Sequence, residues 1–344
     1  MTAGALPRVV PEPLVVDLDE QGRLRTPEDV PVPVDRVAEH LARRLRIPGW
    51  ATDIHVYVHG WRTPPATAAR SATKLLSQAM DLWTARPDRY PGLSDGYRPW
   101  SVVVRWPSSS RPTLGGYRLI RDRAHSMSAE GRGHAPYVIG HLLGYLDAGR
   151  VDPRASAVLA NRNGQYLHLT GHSFGGRFLC EAMQRAAERP PVLGWSTPYD
   201  SRRPFTVDSA LIFQMAAPRD AFVRHYADLF PSGRHPGAPL RGPLVLTHSR
   251  WDRATGFWHL RAERRPGIGH SGAGPAPVPQ FSTTLLGTDT PYPQHVLDHR
   301  VVNVNADGLY RGSRLTRLSP AGAHSDFLRP ESAHLLLTLA ERSR

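Results

Sequence analysis

A short segment of the chain has the residue types and spacing of a serine nucleophile. Gly171-His172-Ser173-Phe174-Gly175 matches the pattern G-x-S-x-G, with an apolar strand pattern before it and an apolar helical pattern after it. A sharp turn from strand to helix strains the serine backbone and raises its hydroxyl above the sheet. The glycines leave room for so tight a turn. We therefore predict that Ser173 is a nucleophile for acyl transfer and not a structural turn serine.

A serine hydroxyl reacts only when a neighbouring base takes its proton. Where the nucleophile occupies such a turn, the chain order is serine, then an acid, then histidine. His324 lies between the last predicted strand and the final helix, which is the position the base requires. His334 falls inside that helix, where a packing or capping role is expected. The sequence therefore predicts His324 as the general base.

Two aspartates are candidates for the acid that orients this histidine. Asp252 follows the predicted strand over residues 244–247, and Asp220 follows the strand before it. An acid in either place could fix the tautomer of His324 and stabilise its imidazolium form. We favour Asp252 and keep Asp220 as the alternative. For each, the competing interpretation is a solvated loop aspartate or a helix N-cap.

Acyl transfer also needs hydrogen-bond donors for the oxyanion of the tetrahedral intermediate. The backbone N–H of Phe174, directly after the nucleophile, is one expected donor. His59-Gly60-Trp61 follows an earlier predicted strand, and the freedom of Gly60 would let the Trp61 N–H turn into the site. We predict that His59 is a structural hydrogen-bonding residue of this turn and not a second base.

These residues require an alternation of strands and helices to position them. Apolar, β-branched runs alternate with helical patterns, which is typical of βαβ units and of a mostly parallel sheet flanked by helices on both faces. We interpret residues 1–344 as one domain, with a Pro-rich N-terminal segment (1–50) and a long Gly/Pro-rich loop insertion (254–299). The predicted strands cover residues 14–18, 54–58, 101–106, 165–170, 209–215, 244–247 and 301–305. The predicted helices cover residues 34–47, 66–86, 137–147, 174–188, 221–229 and 330–342.

Over roughly residues 50–344, the order of these motifs resembles the α/β-hydrolase superfamily. A narrower likeness is to a bacterial hydrolase family of unknown function. Its shared elements here are His59-Gly60-Trp61, Trp106-Pro107-Ser108, Tyr117 with Asp122-Arg123, and the elbow at Ser173, where Phe174 replaces the usual Met. The resemblance implies an α/β-hydrolase fold with a serine catalytic triad, and it brings no known substrate.

Composition sets further limits on function. The formal net charge is +13, and Lys74 is the only lysine among 43 basic residues, which are spread along the chain. Arginines that are distributed along the whole chain do not indicate a clustered basic surface for nucleic acid, so no nucleic-acid partner is expected. Cys180, the only cysteine, is expected to be a small buried residue. We find no signal peptide and no apolar run of membrane-spanning length, and therefore expect a cytoplasmic protein without a membrane span.

Other patterns give no cofactor or metal site. His295 and His299 have the spacing of a zinc motif, but a proline precedes them and a strand follows, so we expect no metal there. A second segment similar to the nucleophile pattern is Gly269-His270-Ser271-Gly272-Ala273. It lacks the flanking strand and helix, and we interpret it as a loop.

The function that we expect is cofactor-independent hydrolysis of a small or polar carboxylic ester through an acyl-enzyme on Ser173. The insertions at 108–135 and 254–294 are rich in Arg, Gly and Pro. We therefore expect them to suit a small or polar ester better than the apolar lid of a long-chain lipase would. A thioesterase, an amidase or an acyltransferase would use the same triad. A non-catalytic binding or scaffold protein on the same fold is the alternative from another class. The oligomeric state is not predicted.

Overall fold

A mostly parallel sheet organises the protein in this computed structural model. The structure describes residues 9–128, 133–151, 164–188, 205–230, 238–313, 316 and 319–344. Within this part of the chain the sheet has nine strands in the order β2-β1-β4-β3-β5-β6-β7-β9-β8, and only the β1–β2 pair is antiparallel. The strands are Leu14–Leu18 (β1), Leu24–Arg25 (β2), Asp53–Val58 (β3), Pro99–Arg105 (β4), Tyr166–His172 (β5), Ser209–Phe213 (β6), Leu244–His248 (β7), Gln280–Thr284 (β8) and Val301–Asn305 (β9).

Helices connect these strands. They are Val37–Arg44 (α1), Pro65–Ala85 (α2), Leu114–Ser128 (α3), Ala135–Gly149 (α4), Phe174–Glu188 (α5), Ala221–Arg224 (α6), His259–Glu263 (α7), Ile268–Ser271 (α8) and Pro330–Arg342 (α9). None of the helices in the described residues is both long enough and apolar enough to cross a membrane.

Alternate residues of the central strands pack into two separate cores. Val56 and Val58 of β3 belong to one core, which α1, α3, α4 and α5 cover, whereas Tyr57 between them belongs to the core under α2 and α9. Side chains of a strand alternate between the faces of a sheet, so the two cores lie on opposite faces. The predicted α/β fold, a mostly parallel central sheet flanked by helices on both faces, is confirmed.

The order of the strands reverses at β3. The chain runs from β3 to β4 on one side of it and then crosses to β5 on the other side. In parallel α/β sheets, such a reversal opens a crevice at the carboxyl ends of the two central strands, and ligands bind there. The carboxyl ends of β3 and β5 carry the motifs at residues 59–61 and 171–175.

The structure corrects the prediction that residues 254–299 form one long loop. This segment contains a π-helical turn (Ala254–Trp258), α7, α8 and the edge strand β8, which pairs in parallel with β9. The motif at 269–273 is likewise not a loop throughout, because α8 includes Gly269. Sequence analysis missed α3, whose Gly-Gly start resembles a loop, and predicted one helix over 221–229 where α6 and a separate 3₁₀ turn occur.

The first fifty residues also contain regular structure. β1 pairs in parallel with β4 and extends the sheet, β2 folds back against β1, and Val37 and Leu41 of α1 are buried. The prediction of a strand over 14–18 is correct. The Pro-rich N-terminal segment contributes buried residues to both cores, Val10 to one and Val16 and Leu18 to the other.

Candidate active site

Ser173 lies in a strained turn between β5 and α5. Its φ is +57°, in the left-handed region that residues other than glycine rarely adopt, and its side chain is buried. Its backbone N–H donates to the carbonyl of Phe213 on the neighbouring strand β6, at 2.9 Å. The tight turn predicted from the sequence is therefore present, and the sheet holds it in place.

Two glycines allow the backbone segments of this site to approach one another. A Cβ on Gly60 would lie 2.7 Å from the Cβ of Ser173 and 2.7 Å from Nδ1 of His172. A Cβ on Gly175 would lie 2.1 Å from the carbonyl oxygen of Val58. Real side chains do not tolerate such distances, so the close contact between the 59–61 turn and the serine turn requires glycine at both positions.

His324 and Asp252 form a buried pair. Nδ1 of His324 lies 2.8 Å from Oδ2 of Asp252, while Nε2 of His324 is buried and has no hydrogen-bond partner among the described residues. Burial alone would raise the pKa of Asp252, but the imidazole of His324 and the hydrogen bond from the backbone N–H of Thr255 outweigh burial and lower that pKa. An ionised Asp252 accepts a hydrogen bond from Nδ1–H and so favours the tautomer in which Nε2 carries the lone pair.

Backbone hydrogen bonds join the two loops that carry this pair. The N–H of Ala323 donates to the carbonyl of Trp251 at 3.0 Å, and Asp252 and Gly322 form an antiparallel bridge. The N–H of Thr255 donates to Oδ1 of Asp252 at 3.0 Å. The relative position of the acid and the histidine thus depends on main-chain contacts as well as on the side-chain bond.

The side chains of His172 and Gln214 bind the backbone of the loop that carries His324 (the histidine loop). The role of Gln214 was not predicted from the sequence. Nε2 of His172 donates to the carbonyl of His324 at 2.7 Å, and the two rings lie 4.7 Å apart. Nε2 of Gln214 donates to the carbonyl of Ala323 at 3.1 Å. Burial, helped by the nearby His324, lowers the pKa of His172 to about 3, so this ring stays neutral. A polar residue directly after the apolar strand β6 was the available signal for Gln214.

The two predicted oxyanion donors follow the carboxyl ends of two adjacent strands. Trp61 follows the end of β3, and Phe174 begins α5. The described residues supply no hydrogen-bond acceptor for either backbone N–H. The next N–H along the chain, that of Arg62, is occupied, because it donates to the carbonyl of Ser108 at 2.9 Å.

His59 has the arrangement expected of a structural residue. Its Nδ1 donates to the carbonyl of Gly60 at 3.0 Å, and its Nε2 accepts from the backbone N–H of Trp106 at 3.2 Å. The Trp106 indole donates in turn to the carbonyl of His59 at 2.7 Å. Burial lowers the pKa of His59 to about 4, so a neutral ring makes both bonds near neutral pH.

Asp220, the alternative acid, lies elsewhere. Its carboxylate forms ion pairs with Arg224 and Arg265 and is partly exposed, and these pairs contribute to a lowered pKa. The structure thus brings Asp252, and not Asp220, into contact with His324.

A cavity of about 350 Å³ opens at this site. Three of the site residues, Trp61, His172 and His324, contribute to its wall. The remaining lining residues are Tyr57, Arg62, Thr63, Thr67, Ser71, Pro112, Pro320, Ala321, Ser325, Phe327 and Leu328. A volume of this size suits a small molecule.

The other residues considered from the sequence lie away from this cavity. Cys180 is buried in α5, and burial raises the pKa of its thiol. Nδ1 of His299 bonds the carbonyl of His295 within one short turn. In the part of the chain that the structure describes, no group of three or more His, Cys, Asp or Glu is arranged to hold a metal ion.

No protein-family model and no curated protein matches this sequence. Among solved structures, a metagenomic carboxyl esterase is similar over 98% of this chain and 95% of its own, with a TM-score of 0.31 and 12% sequence identity. So remote a likeness adds nothing to the description of the site, which rests on the geometry given above.

Proposed function

We propose that this protein is a serine hydrolase that cleaves carboxylic esters through an acyl-enzyme on Ser173. One observation carries the proposal. The imidazole of His324 is bound to a buried carboxylate at Nδ1, and its buried Nε2 has no partner among the described residues. It lines the same cavity as His172, the residue directly before the left-handed Ser173. This is the combination of base and nucleophile that acyl transfer requires.

The proposed reaction has two half-reactions. Oγ of Ser173 attacks the ester carbonyl carbon while Nε2 of His324 takes its proton, and the N–H groups of Trp61 and Phe174 bind the oxyanion. The tetrahedral intermediate collapses, and the leaving alcohol receives the proton from His324. Water, deprotonated by His324, then attacks the acyl-enzyme, and collapse of the second tetrahedral intermediate releases the acid while His324 returns the proton to Oγ of Ser173. Asp252 stays ionised and stabilises the imidazolium form of His324 in both steps.

The first test is covalent labelling with a neutral alkyl fluorophosphonate, followed by intact mass measurement. We expect one adduct on the wild-type protein and none on Ser173→Ala. Ser271→Ala, which changes the serine of the motif at 269–273, is the matched control and should be labelled like the wild type. Circular dichroism of each variant shows that it is folded.

The absence of an adduct on folded wild-type protein would contradict the proposal and favour a non-catalytic binding protein. A positive result leads to a screen of carboxylic esters that differ in acyl-chain length.

A further inference from the structure

Arg62 is the charged side chain of the candidate active-site cavity. It lines the cavity directly after Trp61, and none of the other described lining residues is Asp, Glu, Lys or Arg. It is exposed and forms no ion pair with a described residue. An anionic group entering the cavity would therefore meet an available guanidinium and no repelling carboxylate.

The backbone of Arg62 gives no reason for an arginine at this position. Its φ is +57°, and its N–H is fixed to the carbonyl of Ser108. A left-handed residue other than glycine or asparagine costs roughly 1 kcal/mol. Glycine or asparagine would form the same turn with less strain.

The rest of the wall is compatible with a polar substrate. Hydroxyl groups of Thr63, Thr67 and Ser71 line the cavity, and Thr67 lies in the first turn of α2. The partial positive charge at the start of this 21-residue helix has the same sign as Arg62. Phe327 and Leu328 give the cavity an apolar part for the carbon chain of a substrate.

We propose that the ester substrate carries a negative charge, such as a carboxylate, which Arg62 binds. This inference rests on the proposed esterase function and adds the substrate class. Because Arg62 is the neighbour of an expected oxyanion donor, the negative charge of the substrate should lie within the length of one arginine side chain from the ester group. It can belong to the acyl part or to the alcohol part of the substrate.

The test compares pairs of esters that differ only in charge. 4-Nitrophenyl hydrogen adipate and its methyl ester place the difference in the acyl part. 4-Carboxyphenyl and 4-carbamoylphenyl hexanoate place it in the leaving group. We expect the wild type to hydrolyse the anionic member of at least one pair with a kcat/KM roughly tenfold higher than that of its neutral partner.

Variants then assign this preference to Arg62. Arg62→Asn removes the charge and tolerates the left-handed conformation, and it should bring kcat/KM for the anionic member of the pair down to that of its neutral partner. Arg62→Lys should keep most of the preference. Arg46→Asn removes an exposed arginine that does not line the cavity, and should behave as the wild type.

The outcomes separate this inference from the proposed function. Labelling of Ser173 by the neutral fluorophosphonate, with no preference for either anionic ester, would overturn the role of Arg62 alone. The same holds if Arg62→Asn slows both members of a pair equally, because the arginine would then only shape the turn. If wild-type protein is neither labelled nor active on any ester, both proposals fail together.

Discussion

At the scale of single residues, the environment of His324 decides what the site can do. Its two ring nitrogens differ in their hydrogen-bond partners. Nδ1 is bound to a buried carboxylate, whereas Nε2 has no partner among the described residues. His59 has partners for both nitrogens, whereas His55 and His259, like His324, have one ring nitrogen without a described partner. Of these last three, only His324 has a carboxylate on its other nitrogen. A proposed general base requires this arrangement, with a carboxylate on one nitrogen and no partner on the other.

The two candidate acids can be compared by equivalent substitutions. Asp252→Asn keeps the shape of the side chain but removes the charge that orients His324, so fluorophosphonate labelling and ester hydrolysis should fall by on the order of 10⁴-fold. Asp220→Asn should change both rates by less than about twofold, since an exposed ion pair contributes little. Second-order labelling rates at pH 7.5 measure both effects. Equal losses in the two variants would contradict the assignment of the acid.

At the scale of elements, the site depends on how closely α5 approaches β3. Gly175 in the first turn of the helix faces the carbonyl of Val58 at the end of the strand. The turn after β3 is thereby brought against the serine turn, and both expected oxyanion donors come to the same edge of the sheet. Close packing of one helix on one strand is thus a condition for the site.

Gly175→Ala should therefore destabilise the fold as well as the site. Its Cβ would overlap a backbone carbonyl that cannot move without moving β3, and we expect the free energy of unfolding to fall by roughly 3 kcal/mol. Gly115→Ala in α3 is the matched control, because the nearest atom to its Cβ is 3.9 Å away. That change should leave stability equal or raise it by up to about 1 kcal/mol. Urea unfolding followed by circular dichroism gives both values. A stable Gly175→Ala protein would refute the packing explanation.

The strength of the local pattern explains which elements could be predicted from the sequence. β3 and β5 are buried on both faces and are rich in β-branched, aromatic and leucine residues, so they were recognised, together with the turns that follow them. β8 has the sequence Gln-Phe-Ser-Thr-Thr with only alternate residues half-buried, and its edge position follows from pairing with β9. Such pairing depends on tertiary contacts that a single sequence does not display.

The same distinction applies to the site. Ser173 and its glycines were recognisable because the turn is local, and His324 because of its place in chain order. The contacts of Gln214 with the histidine loop and of Ser108 with Arg62 join residues far apart in the sequence. No spacing rule predicts which distant carbonyl a buried amide will reach.

At the scale of the whole molecule, buried histidines make stability depend on pH. Burial lowers the pKa of His55 to about 3, of His59 to about 4 and of His172 to about 3, from an ordinary value of 6.5. Below pH 6.5 the unfolded chain takes up protons at these positions while the folded protein does not. The stability due to the neutral rings is therefore complete above pH 6.5 and is lost as the pH falls toward 4.

We expect the free energy of unfolding to fall by roughly 3 kcal/mol between pH 6.5 and 5.5, since each such histidine contributes up to about 1.4 kcal/mol per pH unit. Carboxylates with a lowered pKa, such as Asp252, act only below their ordinary value of 3.8 and do not affect this window. Urea unfolding at a series of pH values measures the slope. His55→Asn, outside the candidate site, should make the fall over this window smaller by about 1 kcal/mol. A stability that is constant from pH 7.5 to 5.5 would contradict this account.

The position of Lys74 has a practical consequence. It is exposed on α2, three residues after Ser71, which lines the candidate cavity, and it is the only lysine in the sequence. Amine-selective reagents therefore have a single side-chain target, on a helix that forms part of the cavity wall. A dye attached to this side chain would report on occupancy of the cavity from one defined position on the cavity wall.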